Sequence, residues 1–345
     1  MRKLAVVLFN LGGPDSPAAV RPFLFNLFND RAIIGLPQPF RWLLARLISA
    51  RRAPVAQGIY ARLGGRSPLL EQTERQAEAL RNALHDVADE VRVVIAMRYW
   101  HPMTEEAVQA VGAFAPDDVV LLPLYPQFST TTTGSSLTAW HRAARRYGLT
   151  APTRAVCCYP TDAGFVATLA RTVDEAVHKA ARYGDPRVLF SAHGLPKKIV
   201  AAGDPYQWQV EQTAAAVVET MALAGLDWQV CYQSRVGPLD WIGPSTEDEI
   251  RRAGADGVPL VVVPLAFVSE HSETLVELDE EYRDLAEEAG VTAYIRVPTV
   301  GVEADFIAGL AALVRQRLKT AGPLRTPTGD RLCPSGLTRC PCPAG

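Results

Sequence analysis

Eight short apolar runs, separated by stretches of helical period, limit this chain to one broad class of fold. Leu4–Asn10, Val91–Met97, Val119–Leu124 and Thr153–Cys158 fall in the first half, and Arg187–Ser191, Trp228–Tyr232, Leu260–Leu265 and Thr292–Val297 in the second. Most are rich in β-branched residues, and all are too short to be amphipathic helices. Between them Leu70–His85, Ala163–Arg182 and Tyr206–Leu223 carry apolar residues at helical spacing. Strands that alternate with helices build parallel sheets from βαβ units, so the expected class is α/β.

The 345 residues suffice for two domains. The halves repeat each other in order. Val7-Leu8-Phe9 before Gly12-Gly13-Pro14 matches Val188-Leu189-Phe190 before Gly194-Leu195-Pro196, and Leu121-Leu122-Pro123-Leu124 matches Val262-Val263-Pro264-Leu265. The expectation is two similar domains, 1–160 and 161–320, followed by an extension, 321–345, with a cleft between the domains as the place for a small-molecule site. The helical stretch Phe306–Leu318 could return to the first domain. A net charge of −2 supplies no field to recruit nucleic acid, and none is expected as a partner. Met1–Asn10 reads as a first strand rather than a leader, which sets the expected location in the cytoplasm.

Two stretches carry the chemistry. In Val188-Leu-Phe-Ser-Ala-His-Gly-Leu-Pro196 a buried strand is stopped by Gly194 and Pro196, which places His193 just past its carboxyl end. In open parallel sheets that edge binds ligands. A histidine there can take up a proton near neutrality or ligate a metal. The second stretch runs from Pro264 to Tyr282, where Ser269 can cap a helix that carries Glu270, Glu273, Glu277, Glu280 and Glu281 at intervals of three or four, with His271 beside them. On an α-helix these carboxylates lie mostly along one face. Crowded carboxylates hold protons tightly and can pass protons or a divalent cation along.

The segment 21–52 has more apolar residues than one helical face can hide, among them Phe23, Phe25, Phe40, Trp42 and Leu43, interleaved with Arg41, Arg46, Arg51 and Arg52. It is either a packed helix pair or an apolar lip over a greasy ligand, able to touch a membrane surface. Cys157, Cys158 and Cys231 lie in strand-like runs, and Cys333, Cys340 and Cys342 crowd the end. Without an export signal, metal or cluster ligation is a better reading of these than a disulfide framework. No P-loop, dinucleotide fingerprint or nucleophile elbow is present in the sequence.

The sequence resembles ferrochelatases from about Leu8 to about Arg317. The matching motifs are Asn10-Leu-Gly-Gly-Pro14, Arg98-Tyr-Trp-His-Pro102 with Thr104-Glu-Glu-Ala107, Tyr125-Pro-Gln-Phe-Ser129 with Thr133-Gly-Ser-Ser136, Ser191-Ala-His-Gly-Leu-Pro196, Gln233-Ser-Arg-Val-Gly-Pro238 through Trp241-Ile-Gly-Pro244, and Glu270-His-Ser-Glu-Thr-Leu275. The resemblance implies two Rossmann-like, chelatase-type domains, each with a four-stranded parallel sheet, and insertion of Fe²⁺ into a porphyrin. Protoporphyrin IX is the expected substrate on account of the apolar lip, with coproporphyrin III the alternative. A tetrapyrrole-binding protein without turnover would draw on the same features.

The resemblance also assigns roles. His193 matches the active-site histidine, as proton acceptor or ligand of the entering Fe²⁺. Glu273 matches the opposing carboxylate and joins it as a metal ligand, and Glu277 continues the acidic path. Leu11, Arg98, Tyr99, Tyr125 and Trp241 match substrate-binding positions, and Arg51 and Arg52 match a basic pair suited to propionates. Some family members hold a 2Fe–2S cluster on three cysteines of a C-terminal extension and one from the body. Cys333, Cys340 and Cys342 supply three here. The body position used in animal members holds Thr130, so Cys158 is the candidate fourth ligand, with Cys157 next in line because neighbours on a strand point to opposite faces. Oligomeric state stays open.

Overall fold

The computed structural model describes residues 1–235, 237–327 and 329–342. The chain forms two compact units, one from residues 1–158 with 310–330, the other from residues 159–309 with the chain from Arg331 onward. Helix Ala304–Lys319 therefore begins in the second unit, and from Leu310 it belongs to the first.

The first unit carries β1 (Lys3–Asn10), β2 (Glu90–Met97), β3 (Asp118–Pro123), β4 (Thr153–Val156) and β9 (Leu324–Arg325), in the spatial order β2-β1-β3-β4-β9. The second carries β5 (Arg187–His193), β6 (Asp227–Gln233), β7 (Leu260–Pro264) and β8 (Tyr294–Arg296), in the order β6-β5-β7-β8. All pairings are parallel. Numbered within each unit, the first four strands of both sheets run 2-1-3-4, which accounts for the repeat seen in the sequence. Helices cover both faces of such sheets, so strands read as continuous apolar runs. Residues 4–9 of β1 and the whole of β7 are buried. The direction of winding reverses beside the first strand of each unit, and a crevice opens there at the carboxyl ends of the strands.

Three expectations need correction. The first sheet has five strands rather than four. The extra strand, β9, comes from the proline- and glycine-rich tail and pairs with β4 through Ala155 and Val156. It is tied down by Arg317, whose guanidinium donates to the carbonyls of Ala155 (2.9 Å) and Thr320 (3.0 Å). β4 itself stops at Val156, so Cys157 and Cys158 lie beyond the strand and its alternation does not choose between them. The acidic stretch starts later than Ser269 and is a π-helix over Glu273–Glu281, followed by an α-helix over Tyr282–Glu288. Spacings of three and four fit both windings, so the sequence could not tell them apart. π-Helical turns are rare and concentrate at functional sites.

The lip segment is two helices, Val20–Phe28 and Phe40–Arg62. Val20, Phe23, Leu24, Ala53 and Tyr60 pack with Tyr99 as a local core. Phe40 (64 % exposed), Leu43 and Leu47 face solvent. The packed face bears out the helix-pair reading, and the opposite face leaves apolar side chains on the surface. Among the described residues no helix is long and apolar enough to cross a membrane.

The tail beyond Arg331 packs on the second unit. Arg339 N–H donates to the Gly203 carbonyl (3.1 Å), and the Gln209 amide donates to Cys333 Sγ (3.1 Å). Gly203 has φ +94°, and a Cβ there would sit 2.6 Å from Thr338 Oγ1, so only glycine admits this contact without a shift.

Candidate active site

In the second unit His193 is the last residue of the central strand β5, one place earlier than the sequence suggested. Its Nδ1 lies 2.8 Å from Glu273 Oε2, at the start of the π-helix. A charged Glu273 fixes the proton on Nδ1, leaving Nε2 with its lone pair for a substrate. The side chain is 43 % exposed, so the ring is accessible. The loop after His193 is held by Trp241, whose residue pairs antiparallel with Pro196 while Ile242 N–H donates to Leu195 O (3.0 Å). Gly194 is required by close approach, since a Cβ would fall 2.9 Å from the Gln233 carbonyl and 3.3 Å from the Trp241 ring.

One turn along the π-helix, Glu277 accepts hydrogen bonds from Ser234 N–H (2.8 Å), Ser234 Oγ (2.5 Å), Gln233 Nε2 (3.2 Å) and Tyr282 OH (3.1 Å). Ser234 reaches it twice because its backbone is left-handed, φ +59°. That conformation costs a non-glycine residue about 1–3 kcal/mol and marks sites where geometry matters more than stability. Gln233 is itself held by Ser191 Oγ at 2.8 Å.

Burial and charge separate the two glutamates. For Glu277 burial is the larger influence and the Glu273 charge adds to it, so its pKa is raised despite the donors. For Glu273 burial also pushes upward but is outweighed by the His193 imidazole, and its carboxyl is held below the usual range. Burial alone would lower His193; the Glu273 carboxylate reverses this and raises it. The three groups are thus coupled: the charge on Glu273 raises both the His193 ring and the Glu277 carboxyl.

His271 joins this set. Its Nε2 lies 4.0 Å from Glu273 Oε2, its ring packs on Phe267, and its buried Nδ1 has no hydrogen-bond partner among the described residues. Burial lowers its pKa and keeps it neutral. The other carboxylates of the stretch behave differently. Glu270 and Asp279 clasp the half-buried Arg296 at 2.6 and 2.5 Å, which clamps the π-helix to β8. Glu281 is exposed. The evenly used acidic face expected from the sequence is instead divided: Glu273 and Glu277 turn toward His193 and Ser234, and Glu270 and Asp279 toward Arg296.

The first unit gathers a different set at its strand ends. Arg98 N–H donates to Asn10 O (2.9 Å) and Tyr99 N–H to Leu11 O (3.0 Å), which brings Leu11, Arg98 and Tyr99 together just beyond β1 and β2. Tyr125 follows β3, close enough for the Arg98 charge to be felt at its hydroxyl. Arg51 and Arg52 are exposed on the lip helix, with Arg52 over the Phe28 ring at 5.9 Å. Asp30, absent from the sequence reading, accepts from Arg98 and Tyr99. It is the one acidic residue between 21 and 52, which is the signal that could have found it. Ser234 and His271 stood inside recognised motifs, but their roles depend on contacts across the fold.

All six cysteines are buried. Among the described residues no group of three or more histidine, cysteine, aspartate or glutamate side chains is drawn together as a metal-holding set. The four cysteines named for a 2Fe–2S cluster are therefore not seen assembled around one, and no catalytic step is derived through it. Cys231 lies in the core, accepts from Thr246 Oγ1 and has its thiol pushed up to about 12 by burial.

Two parallel 2-1-3-4 sheets, with a histidine and carboxylates at the end of a central strand, define an α/β enzyme of the metal chelatase type. SirB from Bacillus subtilis with Fe³⁺ shares the fold, with a TM-score of 0.53 at 13 % identity over 92 % of this chain and 96 % of that one. DR2241 from Deinococcus radiodurans, described as structurally similar to chelatases, gives 0.50 at 14 % identity over 92 % and 56 %. The ferrochelatase family model matches residues 3–318. A ferrochelatase of Caulobacter vibrioides is 56 % identical over 100 % of this chain and 99 % of its own length. One of Phenylobacterium zucineum is 56 % identical over 99 % of both. The chain belongs to the ferrochelatase family, and is thus a metal chelatase of the lyase class that serves haem synthesis.

Proposed function

We propose that this enzyme inserts Fe²⁺ into protoporphyrin IX to form protohaem, the terminal step of haem synthesis. The observation that carries the reading is the 2.8 Å His193–Glu273 pair beside a second glutamate of raised pKa. Insertion replaces two pyrrole N–H protons by one Fe²⁺, so two protons must leave the ring. Nε2 of neutral His193 accepts one, and the imidazolium so formed is stabilised by Glu273 at Nδ1. Glu277, whose burial favours the protonated form, takes the proton onward and frees the histidine for the second. Glu273 and His193 would also hold the entering ferrous ion briefly, since carboxylate and imidazole bind it more weakly than a thiolate cage.

Leu11, Tyr125 and Trp241 are assigned to the macrocycle, Arg98 and Tyr99 to the same substrate, and Arg51 and Arg52 to its propionates. The exposed Phe40, Leu43 and Leu47 support an apolar substrate and a peripheral contact with the inner face of a membrane by an otherwise cytoplasmic protein. A 2Fe–2S cluster on Cys158, Cys333, Cys340 and Cys342 belongs to the same reading. It is supported by the burial of these residues and by the Gln209 amide on Cys333 Sγ. The visible spectrum and the iron and sulfide content of anaerobically purified protein test it; colourless protein free of sulfide would dismiss it.

The activity is tested by anaerobic iron insertion with protoporphyrin IX and coproporphyrin III offered in parallel. Faster turnover of protoporphyrin is expected. Preference for coproporphyrin would reassign the substrate and the lip arginines.

A further inference from the structure

We propose that Asp30 is a positioning residue that latches the lip onto Arg98 and Tyr99 and cancels the Arg98 charge, so that this part of the substrate surface is neutral. The proposal rests on the reading of Arg98 and Tyr99 as substrate-binding residues. Asp30 Oδ2 accepts from Arg98 Nη2 (2.8 Å), from Tyr99 OH (2.9 Å) and from Ser135 Oγ. Arg98 Nε in turn donates to Ser135 Oγ at 2.7 Å, which closes the network. The other carboxylate oxygen, Oδ1, accepts from Ala32 N–H (2.9 Å) and fixes the turn that Asp30 begins.

Three separate parts of the first unit meet on this carboxylate: the lip turn, the residues after β2, and the helix Thr133–Arg146. The lip turn is otherwise closed on itself, with Arg41 donating to the carbonyls of Asn29 (2.9 Å) and Leu36 (2.7 Å). From the turn itself the polar tie to the strand end is Asp30, and the helix before it adds Asn26 Nδ2, which donates to the Tyr99 carbonyl (3.1 Å). The Asp30 side chain is 8 % exposed and that of Arg98 20 %, so water screens the pair little. Burial alone would raise the Asp30 pKa, but Arg98 and the three donors outweigh it and keep the group ionised. Arg98 therefore meets the substrate already neutralised, a surface suited to a macrocycle edge rather than to an extra carboxylate.

The test compares Asp30→Asn with the wild type in the full-length enzyme. Asparagine keeps the size but cannot balance Arg98, and its amide cannot accept three donors. Loss of charge-assisted bonds of this kind is worth about tenfold. The expected result is a KM for protoporphyrin IX raised about tenfold with kcat changed less than about twofold, tryptic cleavage after Arg31 faster by a similar factor, and a coproporphyrin-to-protoporphyrin ratio of kcat/KM shifted toward coproporphyrin. A folded variant in which all three readouts stay at wild-type values overturns the proposal. So does a variant in which kcat and KM worsen together for both porphyrins while cleavage is unchanged. If Asp30→Asn does not fold, Ser135→Ala and Tyr99→Phe each remove one donor and should give about a threefold rise in both KM and cleavage rate; wild-type values in both would be equally fatal. A wild type that turns over neither porphyrin would instead strike at the proposed function.

Discussion

Each unit places buried carboxylates among functional residues near its strand ends, and they behave in opposite ways. Asp30 in the first unit faces an arginine, two hydroxyls and a backbone N–H, and is ionised throughout the neutral range. Glu273 and Glu277 in the second unit share one partly exposed histidine, and one glutamate is pushed down while the other is pushed up. Burial is the largest single influence on all three and acts in the same direction on each. The neighbours decide the outcome. A carboxylate matched by a permanent cation is held ionised; two carboxylates beside titratable histidines are pushed apart, one down and one up.

The comparison breaks most sharply at His193. Replacing it by alanine should lower kcat for iron insertion by about 10²–10⁴-fold with little change in porphyrin affinity, measured anaerobically by the absorbance change. A fall below tenfold would mean that the second unit's carboxylates handle protons without it.

Glu273→Gln removes the charge that raises the His193 pKa and leaves burial, which lowers it. The acidic limb of the kcat/KM profile should move to lower pH, and the His193 ring should titrate lower in NMR in step with it. An unmoved limb would show that a different group titrates there.

A third measurement sets the two units side by side. Asp30 has a lowered pKa, so its stabilising contribution is fully present above the unfolded-state value near 3.8 and is lost as pH falls through the still lower folded value. The cost of Asp30→Asn in thermal stability should therefore be the same at pH 6 and pH 8 and shrink only in strong acid. Glu277 has a raised pKa, and the kinetic effect of Glu277→Gln should vary with pH on the alkaline side of the ordinary carboxylate range. Equal pH dependence in the two variants would erase the distinction.

The smallest effect is expected for Ser234→Ala. It takes one hydroxyl donor from the charged form of Glu277, raises that carboxyl further, and should slow turnover by up to roughly tenfold. Ser234→Gly, which relieves the left-handed backbone but loses the same hydroxyl, should match it; a much milder glycine variant would assign the effect to backbone strain instead.

Much of this was legible along the chain. Eight of the nine strands among the described residues lie within a residue or two of the apolar runs that announce them, because strands buried on both faces need continuous apolar sequence. β8 is shorter than its run, and β9, only two residues long, is held by its pairing with β4 rather than by any pattern of its own. His193 could be named because a histidine at a strand end is a local signal; helical spacing left five glutamates between 270 and 281, and the resemblance to ferrochelatases picked out Glu273 and Glu277. The π-winding, the separation of working from structural glutamates, the left-handed Ser234 and the Asp30 network are not local. The contacts behind the last three join groups between 17 and 105 residues apart in sequence. The sequence by itself determined the α/β class, the doubled architecture and the residue types of the site, since these follow from periodicity and chemistry read in order. Only the tertiary structure decided which carboxyl is pushed down and which is pushed up, because that is set by the neighbours folding brings within a few ångströms.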